Sequence, residues 1–164
     1  MSSVNCKAVC VLYKESSATT TPIGTLCLQQ QADGSVHITG TLTGLVANAK
    51  QGLAVCVSGD LSNGATSCGP IFNPFGKSHG APEDDNRMVG DLGNVTVDEN
   101  GTASVDITDT NITLVGPHSI LGRSMVLHVG EDDQGRGGHE TSLTNGNPGP
   151  RMAAGVIGLS VTTN

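Results

Sequence analysis

Ile23-Gly-Thr-Leu-Cys-Leu-Gln29, Ala32-Asp-Gly34 and Val36-His-Ile-Thr-Gly-Thr-Leu42 read together as two alternating strands joined by a compact hairpin turn. Cys6 to Tyr13 alternates in the same way, so the chain opens as a three-stranded meander, with the turn-rich Glu15-Ser-Ser-Ala-Thr-Thr-Thr-Pro22 as its first connector. Gly52 to Ser58 is a further apolar run. Val95 to Val97, Asp98-Glu-Asn-Gly101 and Thr102 to Ile107 predict a second hairpin with Asn-Gly at its turn. Met125 to His128 and Ala153 to Val161 end a series of short strands, which predicts an all-β sandwich or barrel.

The chain has 164 residues, the size of one domain, taken as 1–164. Lys plus Arg number 8 against 15 for Asp plus Glu, and the net charge of -7 argues against a sequence-independent grip on nucleic acid or an anionic membrane. Aromatic residues are only 2%, while 23 Gly and 7 Pro punctuate the chain with turns, which argues against a helical bundle. With no apolar run near the roughly 20 residues of a spanning helix and no signal-like start, the expected address is the cytoplasm. Five cysteines suit a reducing compartment as free thiols. Cys6 and Cys10, if on one strand, stand about 13 Å apart and cannot bridge.

Two polar, glycine-rich stretches, Gly59 to Gly93 and Gly130 to Arg151, interrupt the strand pattern. Ordering such long irregular segments costs entropy that ordinary connectors avoid, so a site is expected there. His37, His118 and His139 have no acidic or ligand partner at a telling spacing and are expected to make surface hydrogen bonds only. Asn94-Val-Thr96, Asn100-Gly-Thr102 and Asn111-Ile-Thr113 match the glycosylation pattern and receive no role.

Cys68-Gly-Pro-Ile-Phe-Asn-Pro74, His79-Gly-Ala-Pro-Glu-Asp84, Val89-Gly-Asp-Leu-Gly-Asn94, Leu121-Gly-Arg-Ser-Met-Val-Leu-His128 and Ala154-Gly-Val-Ile-Gly158 resemble copper/zinc superoxide dismutases. The resemblance runs from Lys7 to Gly158. It implies an eight-stranded Greek-key barrel that dimerises, with a metal-binding loop and an electrostatic loop as the two long stretches. For copper it implies four histidines, at positions that are Ala54, Cys56, Ile71 and His128 here. For zinc it implies three histidines and an aspartate, at Ile71, His79, Met88 and Asp91. Asp132 matches the carboxylate that orients a ligand from each site, and Arg151 the arginine that guides the incoming anion. The family disulfide falls on Ala65 and Ala154, and Cys68 is expected as a free thiol.

Alanine and isoleucine offer no lone pair, and Cu(II) takes several N or O donors in a tetragonal arrangement. The resemblance therefore leads to the expectation of a catalytically inactive homologue with no copper and at most weak zinc, held by His79 and Asp91. Such a protein would act by binding, as a homodimer or as a heterodimer with a dismutase subunit or its copper chaperone. The pairing face implied is Gly59, Leu121, Gly122, Val156 and Leu159. The alternative is residual dismutase or copper/zinc-binding activity using His128, Cys56, His79 and Asp91.

Overall fold

The computed structural model describes residues 7–15 and 22–161. Cys6, the connector from Ser16 to Thr21 and the tail from Thr162 to Asn164 lie outside the described residues. Eight strands form one antiparallel sheet, curled into a nearly closed barrel: β1 (Lys7–Lys14), β2 (Pro22–Gln30), β3 (Val36–Leu42), β4 (Lys50–Cys56), β6 (Asp91–Thr96), β7 (Ala103–Asp109), β8 (Ser124–His128) and β9 (Arg151–Leu159). A short β5 (Ser62–Ala65) and a 3-10 turn (Thr66–Cys68) lie in the first long loop. A single helical turn, α1 (Ser142–Asn145), lies in the second. The sheet order β6-β4-β8-β9-β1-β2-β3-β7 makes the all-β, eight-stranded expectation correct.

The opening meander forms as the alternation predicts. Val9 pairs with Cys27 and Cys27 with Thr39. The Ala32-Asp-Gly turn closes with Gln31 N donating to Ser35 O at 2.7 Å. Alternation sends Ala8, Cys10 and Leu12, then Leu26 and Leu28, then Val36, Ile38 and Leu42 into one buried core. The predicted second hairpin does not form as a ladder. Asp98-Glu-Asn-Gly101 makes its turn, with Asp98 N donating to Thr102 O at 2.8 Å, but the flanking strands separate. β6 pairs with β4 and β7 with β3, so they become the two edges of the sheet. The turn chemistry was read correctly; the partner was decided by which strand could bury each apolar face.

The first long loop is held to the barrel by a buried ion pair. Arg87 Nη2 lies 2.8 Å from Asp109 Oδ2, with both side chains 2% exposed, and Arg87 Nη1 donates to Asp91 O at 2.6 Å. Asp109 Oδ1 accepts from Asn111 N and Ile112 N.

Candidate metal centre

The two long loops meet over β4, β6 and β8 at His79. Its ring is clamped between two carboxylates: Nδ1 is 2.6 Å from Asp91 Oδ1 and Nε2 is 2.7 Å from Asp132 Oδ1. All three side chains are buried. Asp91 is oriented by the first loop, whose Gly80 N and Met88 N both donate to Oδ2, at 3.0 and 2.8 Å. That leaves Oδ1 facing the ring. Asp132 is oriented by Asn94, whose carboxamide accepts from Asp132 N and donates to Asp132 O. Asn94 is thus committed to the site, and its glycosylation pattern is incidental.

Nδ1 of His79 and Oδ1 of Asp91 are close but off line for a hydrogen bond, and neither has another partner. Burial alone would depress the ring's pKa. The hydrogen bond to Asp132 and the nearness and charge of Asp91 outweigh it and raise the ring to about 9. In the metal-free protein the ring is therefore a cation shared by the two loops. Its folded value lies above its ordinary 6.5, so this stabilisation is complete below about pH 6.5 and is lost as pH rises through 9. The loss is at most about 3 kcal/mol. Urea midpoints of metal-free protein are expected to fall between pH 6.5 and 9.5, and H79Q should remove most of that slope. An equal slope in H79Q would assign it to other groups.

His128, at the end of β8, is buried. Its Nδ1–H donates to Gly52 O at 3.3 Å, which keeps the lone pair on Nε2. Burial, with a smaller contribution from the Arg151 charge, lowers its pKa and keeps the ring neutral at pH 7, the state in which imidazole binds metal. Cys56 lies elsewhere on β4, four residues beyond Gly52 and so about 13 Å along the strand. It packs with Ala65, Cys68, Val126 and Ala154, and burial pushes its thiol up to about 12. A single ion shared by His128 and Cys56 would draw both side chains along their strands.

Ala54, Ile71 and Met88 pack together as a small apolar cluster. Beside it a cavity of about 400 Å³ has Ile71, Met88 and Thr144 on its wall. Among the described residues no three of His, Cys, Asp or Glu converge as a metal shell. Zinc fits in part: His79 and Asp91 supply two buried donor atoms without other partners. Copper finds the neutral imidazole of His128, while the side chains at 54 and 71 are hydrocarbon.

Arg151 has a structural task. Its Nη1 and Nη2 donate to Ala65 O and Gly69 O at 2.7 and 2.6 Å, tying β9 to the first long loop. Glu15 Oε2 accepts from Ala65 N at 2.7 Å on the same segment. These bonds lie where the resemblance puts a disulfide and this chain has Ala65 and Ala154. Sequence reading missed Glu15 and Asn94, because their partners are 50 and 38 residues away.

The family model described as Copper/zinc superoxide dismutase (SODC) matches residues 23–157. Proteins named Superoxide dismutase [Cu-Zn] from Cryptococcus neoformans var. grubii, Claviceps purpurea and Cordyceps militaris are 50%, 48% and 47% identical over 155 residues. Each match covers 94% of this chain and 98% of the relative. Among solved structures, the crystal structure of the clock protein EA4 superposes with a TM-score of 0.88 at 44% identity, covering 98% of both chains.

These relatives correct two expectations. The reading of an inactive homologue that works only by binding is overturned, because proteins half identical over nearly their whole length are named as copper/zinc dismutases. The expectation of no copper and at most weak zinc is overturned with it, since the matched family is defined by those two metals. Both expectations rested on a count of donor atoms at four positions. Such a count describes one coordination geometry and is not a measure of turnover.

Proposed function

We propose, because the chain belongs to the copper/zinc superoxide dismutase family, that it is a metal-binding oxidoreductase of that family with residual superoxide dismutase activity. His79 and Asp91 would hold zinc, and His128, with Cys56 as a soft second donor, would hold copper. Besides family membership, the supporting observation is the pair of buried, unpartnered atoms, His79 Nδ1 and Asp91 Oδ1, 2.6 Å apart with Asp132 holding the other ring nitrogen.

Zinc bound there would supply a fixed positive charge that ties the two loops together. Asp132 sets the ring orientation, and the proton on Nδ1 must leave before zinc binds, so uptake should strengthen as pH rises towards 9. At the copper half, one imidazole and one thiol suit a low-coordinate cuprous ion and do not make a tetragonal cupric shell, so no redox step follows from this geometry. Arg151 contributes positive charge near His128 and Cys56 for an anionic substrate.

The reading includes a dimer through Gly59, Leu121, Gly122, Val156 and Leu159, with a second dismutase-type subunit or a copper chaperone as the heterologous partner. Gly122 N donates to Ile157 O, Gly59 abuts Gly122 O, and Val156 and Leu159 are 40% and 71% exposed, which leaves apolar surface for such a contact. The free thiols among the described residues suit the cytoplasm.

Native mass spectrometry of copper- and zinc-loaded protein reads metal count and subunit count together, and superoxide turnover is then measured on the same sample. The expected result is bound zinc and copper, with turnover above free copper that is lost in H128A. Turnover equal to free copper, or unchanged in H128A, would overturn the assignment.

A further inference from the structure

The face of β1, β2, β3 and β7 opposite the core carries a second cluster of reactive side chains, away from the metal centre. The strand registers set Cys27 against Thr39, Thr39 against Asp106, and Gln29 against His37. Alternation turns Cys27, His37 and Asp106 outward, while Leu26, Leu28 and Ile38 point to the core. His37 is thus the diagonal neighbour of both Cys27 and Asp106. Its Nε2 lies 2.6 Å from Asp106 Oδ1. Lys7, Cys27, His37, Thr39 and Ser160 line one cavity of about 220 Å³. Cys27 is exposed, whereas Cys10, Cys56 and Cys68 are buried.

We propose that Cys27, His37 and Asp106 form a thiol-exchange site that takes up the disulfide of a small acidic thiol, of the glutathione disulfide class, as a mixed disulfide on Cys27. Asp106 accepts the Nε2 proton of His37 and so keeps the lone pair on Nδ1, which makes the ring a base for the neighbouring thiol. Lys7 supplies a cation at the cavity wall for the carboxylates of the incoming disulfide. The thiol proton passes to His37, and Cys27 Sγ attacks one sulfur of the incoming disulfide. The S–S bond breaks, and its electron pair leaves on the second sulfur, which takes the proton back from His37. Cys27 is oxidised to the mixed disulfide and one equivalent of small thiol is released. No metal takes part, so the site stands independently of the dismutase reading.

The test uses the full reduced chain with excess glutathione disulfide, acid quenching and peptide mapping by mass spectrometry. One adduct should form, on Cys27, and C27S should give none at the same rate. H37Q should slow the adduct by about tenfold at pH 7 and move the pH–rate profile upward. K7Q should slow glutathione disulfide but not an uncharged disulfide. First modification at another cysteine, or a rate and pH profile unchanged in H37Q, would overturn the proposal by leaving only an ordinary exposed thiol.

Discussion

Replacing Arg87 with methionine is expected to lower the unfolding free energy by about 3 to 5 kcal/mol, among the largest effects of any single substitution here. Methionine fills much of the volume but leaves Asp109 Oδ2, 2% exposed, without the guanidinium at 2.8 Å, and it strips Asp91 O of its 2.6 Å donor. The loss falls on both of these ties, one to the end of β7 and one to the first residue of β6. A buried charge without its partner costs more than the pair gains, so R87M/D109N should recover a large part of the loss. Asparagine at 109 keeps an oxygen for the amides of Asn111 and Ile112 while removing the charge. Thermal denaturation of the single and double variants is the measurement, and a fall of roughly 10 °C in R87M is expected. Equal losses in both variants would show that packing, not the uncompensated carboxylate, sets the penalty.

Much of the barrel was legible because its strands have one wet face. Leu26 to Gln30 and Val36 to Leu42 alternate, and the Asp-Gly turn between them fixes their register. That register carried more than was read from it. It places Cys27 opposite Thr39 and diagonal to His37, but by itself offers His37 no nearby acid. Its partner Asp106 comes from β7, 69 residues away, and only sheet order reveals it. Sheet order likewise overturned the second hairpin, because a turn motif specifies a reversal of direction and not the strand to which each arm bonds.

The cluster around His79 was legible in its residues but not in its state. The resemblance named His79, Asp91 and Asp132 as neighbours, and the structure brings them together. It could not show that the ring takes up a proton between two buried carboxylates when no metal is present. It also set Cys56 and His128 in one cavity. Cys56 stands four residues further along β4 than Gly52, whose carbonyl holds the His128 ring, so an ion held by both must bridge that offset.

Gly146→Ala is expected to unseat the clamp on His79 with little change in the barrel itself. Gly146 ends α1 in the left-handed region, with φ of 79°, and its N–H closes the turn onto Ser142 O. A Cβ there would lie 1.9 Å from Asp132 Oδ1 and 2.6 Å from His79 Nε2, inside the contact that joins ring and carboxylate. The backbone strain alone is about 1 to 2 kcal/mol for a non-glycine residue. Gly138 is the control, since its φ is 71° and nothing stands within 4 Å of its Cβ, so G138A carries the strain without the collision. The excess loss in G146A over G138A therefore reports the broken His79–Asp132 contact, about 2 kcal/mol or more for a buried charged pair. It should shrink above pH 9, where the ring has lost its proton and little of the clamp remains to be broken. Urea denaturation of metal-free G146A, G138A and the parent at pH 6.5 and 9.5 decides the matter. An excess that does not change with pH would mean that the alanine displaces the loop without touching the shared proton.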